Sequence, residues 1–281
     1  MSTATIARPP AGEFLVRLPV SARSIRLRPP TGTEDLLLLE SGSDETKVTI
    51  QLAESLGLDA QGLPLAWGEM CATDLDAFVL HLRRHLLGDR IQCDVRCASP
   101  GCGERIDIEF GISQFLTHYR PAGALPKVRG WTLIPPGESA WFRMEDQSPR
   151  ATRIEFRLPT ANDQSAVAGQ PDAAEQLARR CLQPAKVSAR LKRRIENVLN
   201  AIAPSLSREL QGVCPACGAT VTAYFDARSF CLQELRNRAA FIFEDIDLLA
   251  RRYHWSENDI LGLPQSRRTM YAELARRADD F

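Results

Sequence analysis

Two pairs of cysteines constrain this fold more than any other feature of the 281-residue chain. Cys97-Ala98-Ser99-Pro100-Gly101-Cys102-Gly103 and Cys214-Pro215-Ala216-Cys217-Gly218 each place two thiols in a tight loop, with glycine directly after the second. Two thiolates in one turn aim at a common centre, and the backbone amides that follow can donate to the sulfurs. Glycine at the next position permits the positive φ that such a turn uses. Each loop runs on into strand-like alternation: Ile106, Ile108 and Phe110 after the first, Val221, Ala223 and Phe225 after the second. Side by side, two such knuckles supply the four thiolates of a structural zinc site, as in a zinc ribbon. The expected ligands are Cys97, Cys102, Cys214 and Cys217. A closed four-cysteine site leaves no coordination position open for chemistry, so the feature points to a scaffold and away from a metalloenzyme.

The remaining cysteines are weighed against that set. Cys93 lies four residues before Cys97 and competes with Cys97 or Cys102 as a ligand. Aligning Cys102-Gly103-Glu104-Arg105 with Cys217-Gly218-Ala219-Thr220 sets Cys97 nearest the place of Cys214. Cys71, Cys181 and Cys231 fall in or beside helical pattern and read as small core residues. Cys214-Pro215-Ala216-Cys217 also has the form of a thiol–disulfide site. That chemistry puts its first cysteine at a helix N-terminus, whereas a Thr-rich, strand-like run follows here. A zinc deaminase is excluded, because no His-x-Glu occurs and the proline follows Cys214 instead of preceding it. His81 and His85 share a helical face but lack the glutamate of a His-Glu-x-x-His site, and they flank an apolar stripe. Neither a phosphate-cradling glycine loop nor a nucleophile elbow is present. Nothing in the chain argues for an enzyme or for a small-molecule substrate.

Charge narrows the partners. Lys+Arg and Asp+Glu both number 35, giving a formal net charge of zero, whereas phosphate backbones call for a concentrated basic surface. The run Arg190, Lys192, Arg193 and Arg194 reads as a solvated helix face. Around the first knuckle Arg96 and Arg105 are mixed with Asp94, Glu104, Asp107 and Glu109. A zinc-ribbon nucleic-acid adaptor is therefore the alternative to a protein–protein assembly part. No apolar run approaches the roughly 20 residues that span a bilayer, so no membrane partner is expected. Residues 1–12 read as a flexible lead, not a signal peptide. Eight cysteines with this spacing suit metal binding in a reducing cytosol.

Along its length the chain makes a similar statement twice. A first pass, 13–119, opens with extended segments at 14–18 and 24–28 and continues through helical pattern at 36–39, 50–56 and 73–87, with Thr73 as expected N-cap. It ends in its knuckle, a short strand and a helix opening at Ile112. The second pass, 151–234, repeats the order: an extended run at 153–158, helical pattern at 173–182 and 191–202, the second knuckle, then a helix opening at Ala227. Between them 120–150 is rich in proline and glycine but carries Trp131, Trp141 and Phe142, which suits an inserted hairpin with a mobile tip. From 235 to 281 the pattern is helical, with Ser256 and Ser266 as expected caps. The expected fold class is α+β: two diverged hairpin, helix and knuckle passes sharing one zinc-ribbon element, followed by a helical C-terminal segment.

Several stretches resemble the T-even-phage-type baseplate protein family of tailed phages and contractile injection systems. They are Leu18-Pro19, then Arg26-Leu27-Arg28-Pro29-Pro30-Thr31-Gly32-Thr33-Glu34-Asp35, then Leu82-Arg83-Arg84 and Leu87-Gly88-Asp89-Arg90 ahead of a knuckle. The tail from Tyr253-His254-Trp255-Ser256 through Asp259-Ile260-Leu261-Gly262-Leu263-Pro264, with Ser266-Arg267-Arg268 and Tyr271, is similar to a C-terminal signature of such proteins. The resemblance implies a non-enzymatic structural or chaperone-like role in building a baseplate or hub, with other baseplate proteins as partners. Trp255, Ile260, Leu263 and Tyr271 are then the expected docking residues.

Overall fold

The computed structural model describes residues 12–137, 140–147 and 152–279. The expected flexible lead thus lies outside the described residues except for Gly12, as does the tip of the 120–150 hairpin at 138–139. The fold is α+β, with small antiparallel sheets, a helical C-terminal segment and a clustered set of cysteines. The chain divides into two compact units. One takes the chain as far as Arg17, then Arg23–Trp67 and everything from Ser229; the other takes Leu18–Ala22 and Gly68–Arg228.

In the first unit, strand Phe14–Arg17 pairs with Ser24–Leu27, which also pairs with Gly57–Asp59. Period-two alternation turns Val16, Ile25 and Leu27 inward. Helix Gly32–Glu40 starts at a corner fixed by three side chains. The Glu34 carboxylate accepts from the Thr31 backbone N–H at 2.8 Å and from Arg28 Nη2 and Ser55 Oγ, both at 2.6 Å. Burial alone would raise the Glu34 pKa, but Arg28, Ser55 and the Thr31 amide outweigh it and hold the carboxyl below its ordinary value. Gly32 is required here, since a Cβ would lie 2.9 Å from the Leu261 Cα. Helix Glu45–Leu56 buries Val48, Leu52, Ala53 and Leu56. The C-terminal part of the unit is helical: Ala227–Ala239 for most of its length, Ile242–Tyr253, Glu257–Leu261 and Gln265–Asp279. Ser256 caps the short helix by accepting from the Asp259 N–H at 3.2 Å, as expected. Ser266 does not cap the last helix, which already begins at Gln265.

The second unit opens with helix Ala72–Leu87, whose stripe Leu75, Phe78, Val79 and Leu82 is wholly enclosed. The cap is Cys71, not Thr73, which lies inside the helix and whose hydroxyl donates to the Pro204 carbonyl at 3.1 Å. Strands Trp131–Ile134, Phe142–Asp146, Arg153–Phe156 and Leu182–Gln183 follow one another across a four-stranded antiparallel sheet. The 120–150 segment is therefore a hairpin, and its strands continue into the sheet of the second pass. Phe142, Met144, Ile154 and Phe156 pack there under Ile195 and Val198 of helix Ala189–Ile202.

The same corner recurs. Thr160 precedes helix Ala161–Val167, and the Asp163 carboxylate accepts from the Thr160 N–H at 3.0 Å and from Arg157 Nη2 at 2.9 Å. Arg157 stands three residues before Thr160, as Arg28 stands before Thr31. Each corner also bridges to the residue before a long helix, Thr31 to Pro264 in the first unit and Thr160 to Cys71 in the second.

Candidate metal centre

Each knuckle closes an antiparallel hairpin within the second unit. Strand Arg90–Arg96 pairs with Arg105–Gly111, and Arg208–Val213 with Thr220–Phe225. At the top of the first, the Cys97 N–H donates to the Glu104 carbonyl at 2.8 Å; at the top of the second, the Cys214 N–H donates to Ala219 at 2.9 Å. The loops turn on glycines in the left-handed region: Gly101 at φ +79°, Gly103 at +63° and Gly218 at +73°. Both strands after the loops send their apolar side inward, and at the hairpins' other ends Phe110, Phe115 and Phe225 meet with ring centroids 5.2–5.5 Å apart.

This pairing brings the four expected cysteines together. Cys97 Sγ lies 3.7 Å from Cys217 Sγ, and Cys102 Sγ lies 3.7 Å from Cys214 Sγ. All four sulfurs fall within 4.8 Å of one another. Tetrahedral ligation at a metal–sulfur distance of 2.3 Å puts sulfurs about 3.8 Å apart, so the set fits one ion with little adjustment. Backbone amides complete the knuckles: Ser99 donates to Cys97, Glu104 to Cys102 and Ala219 to Cys217, each two residues on. Cys97 and Cys214 are buried, whereas Cys217 is exposed.

Four thiols this close favour one thiolate, by hydrogen bonding to it, and oppose the ionisation of another. The Ala219 amide leads the causes that bring Cys217 down to about 7. At Cys102 the Glu104 amide pulls down, yet the Cys217 sulfur, burial and Cys214 together push the thiol up to about 12. A cation at the centre is what allows all four to carry charge at once. The apolar support is slight: Cys97, Cys214 and Val221 are the buried members, backed by Val95, Cys102, Ile106 and Ala219.

Cys93 does not join the set. It sits mid-strand opposite Ile108, so the register carries it away from the loop. Among the described residues no second group of three or more His, Cys, Asp or Glu side chains converges in this way. Burial, aided by Arg84, pushes His81 down to about 4, so the imidazole is neutral and held in the apolar face of its helix. Cys181 and Cys231 are buried, as expected of core thiols, while Cys71 is half-buried. No helix follows Cys217 directly, so the helix N-terminus that activates a thiol–disulfide site is missing from this loop.

The expected docking residues lie in the first unit. Trp255 stacks on Tyr253 at 5.0 Å and meets Tyr271 edge-on at 5.0 Å. Ile260 is fully enclosed beside Leu249 and Ala272, so a partner could reach only the half-buried Trp255, Leu263 and Tyr271. Sequence reasoning missed Arg268, which is 1% exposed and pairs with Asp35 and, at 3.2 Å, with Asp245. Its setting in a polar run, Ser266-Arg267-Arg268, gave no sign of burial.

No helix among the described residues is long and apolar enough to cross a membrane. No family model, curated protein or solved structure matches the chain.

Proposed function

We propose that this chain is a non-enzymatic assembly protein of a phage-tail-like contractile baseplate, in which a structural zinc ion cross-links the two knuckle hairpins. The observation that carries the reading is the convergence of four thiols from loops more than a hundred residues apart, with 3.7 Å between paired sulfurs. Four sulfurs saturate a tetrahedral ion, leaving it a cross-link with no position for substrate. Zinc is the favoured occupant because an all-thiolate, redox-inert tetrahedral site suits it best.

The baseplate assignment rests on the resemblance, and one feature of the fold supports it. Two of the stretches that carry it, around Thr31 and around Pro264, are some 230 residues apart in sequence yet pack together in one unit. Thr31 bridges to Pro264, Gly32 abuts Leu261 and Asp35 pairs with Arg268. The signature residues thus build one structural feature. A nucleic-acid adaptor is less favoured, since Arg105, beside the first knuckle, is already paired with Asp94 at 2.7 Å.

The test is deletion of the gene in its own host, with electron microscopy of contractile particles. The reading expects sheath–tube particles to be lost or to lack baseplates, with rescue by the intact gene and not by a Cys214→Ser copy. Normal particles in the deletion strain would refute it.

A further inference from the structure

We infer that the second unit carries a docking cleft for an acidic, extended peptide of a partner protein, at the start of the edge strand Trp131–Ile134. An open cleft of about 700 Å³ is walled there by Arg129, Trp131, Asp146, Gln147, Arg190 and Arg194. Three guanidinium groups line one recess on a chain whose net charge is zero, so the clustering is local and not a by-product of a basic protein. None of the three forms an ion pair among the described residues. By contrast, neighbouring Arg143, Arg153 and Arg179 all have carboxylate partners.

The placement of Arg190 and Arg194 runs against local preference. Helix Ala189–Ile202 has no acidic residue in its first turn, yet carries Arg190, Lys192, Arg193 and Arg194 in its first six positions. Cations near the positive end of the helix dipole cost about 0.3–1 kcal/mol each. A local choice that opposes the fold, without a compensating partner inside the chain, is the kind of conflict found at functional sites.

The backbone beside the cleft selects the form of the ligand. Trp131–Ile134 is the outermost strand of its sheet, and apart from the bridge of Trp131 to Val128 its free edge has no partner among the described residues. An added strand would find main-chain hydrogen bonds along that edge and guanidinium forks for its carboxylates at one end, while the half-buried Trp131 offers an apolar contact. Three arginines in one recess match a few carboxylates better than a phosphate backbone, which needs a longer basic track. The inference goes beyond the baseplate reading and stands on this cleft alone, so particle assembly and peptide binding can fail independently.

The experiment is fluorescence anisotropy on the full-length protein with a labelled octapeptide of alternating glutamate and valine. The same peptide with glutamine for glutamate and a ten-residue oligothymidine serve as competitors. Saturable binding that weakens with salt is expected, with at least a tenfold loss in the Arg190→Glu/Arg194→Glu double variant and none in Arg179→Glu. Glutamate at those helix positions is favoured by the dipole, so circular dichroism should be unchanged. If that variant does not fold, Arg190→Gln/Arg194→Gln supplies the same comparison. Absence of saturable binding, equal binding by the variant, or tighter binding of oligothymidine than of the acidic peptide would overturn the inference.

Discussion

The knuckle pair and the Arg268 corner solve the same problem by opposite means. Both fasten segments far apart in sequence, Cys97 to Cys217 across 120 residues and Asp35 to Arg268 across 233. At the corner the chain supplies both signs of charge, with Arg268 between Asp35 and Asp245 at 8% exposure or less. At the knuckles all four groups carry the same sign once ionised, and their attraction must come from an added cation. The corner also rests on a full apolar core, including Leu249, Ile260 and Ala272, whereas the knuckles bury little besides their own cysteines and Val221. A small sheet that cannot enclose much apolar surface can gain stability from a metal instead, and these four cysteines could hold one.

The largest expected effect follows from this. Structural zinc in small cysteine sites contributes on the order of 10 kcal/mol of apparent binding free energy at neutral pH. Cys214→Ser should therefore lose the bound metal and unfold the hairpin pair, seen as stoichiometric loss of zinc and of amide-exchange protection in 90–111 and 208–225. Protection around Gly32–Glu40 and Gln265–Asp279 should persist. Cys93→Ser should change neither; loss of metal in that variant would move the ligand set.

Next in size is Arg268→Ala. It leaves Asp35 with only Arg238 at 3.6 Å and Asp245 with only Arg276 at 3.4 Å, and should cost about 3 kcal/mol, read as a lower midpoint in urea. Replacing the group together, as Arg268→Met with Asp35→Leu and Asp245→Leu, should cost much less, because the penalty is for unpaired charge and not for the missing pair. An equal cost would mean that packing, not charge, holds the corner. Gly32→Ala pushes a methyl to within 2.9 Å of the Leu261 backbone and should cost about 1–3 kcal/mol without touching metal content.

The smallest effect is in acid. Asp163 titrates at about 2 in the fold, lowered first by Arg157 and then by the Thr160 amide, against an ordinary 3.8. A lowered folded pKa gives stability that is complete above the ordinary value and is lost as pH falls from about 4 towards 2. Asp163→Asn should flatten that part of the stability–pH curve, while a curve unchanged by the substitution would remove Asp163 from the account.

How much of this was legible follows the range of each constraint. The knuckles could be read because ligand chemistry dictates residues a few positions apart: cysteine spacing, the following glycine and the outgoing alternation. The Thr31 and Thr160 corners share that locality through Arg, Thr and acid at fixed offsets, yet only their geometry distinguishes them from ordinary caps. The prolines and glycines of 120–150 suggested a boundary, and its aromatic residues the inserted hairpin that Trp131–Ile134 and Phe142–Asp146 form. Thr73 lies inside its helix with its hydroxyl on Pro204, and Arg268, in a polar run, is buried against Asp35. Both depend on partners more than 130 residues away, which local periodicity does not encode.

The central claim is that one ion, held by sulfur alone, joins the two knuckles. X-ray absorption at the zinc edge, on protein purified under reducing conditions, tests it most directly. The account predicts one zinc per chain with four sulfur neighbours at about 2.3 Å. Protein that is folded at 90–111 and 208–225 without stoichiometric zinc, or a zinc shell containing nitrogen or oxygen, would contradict it.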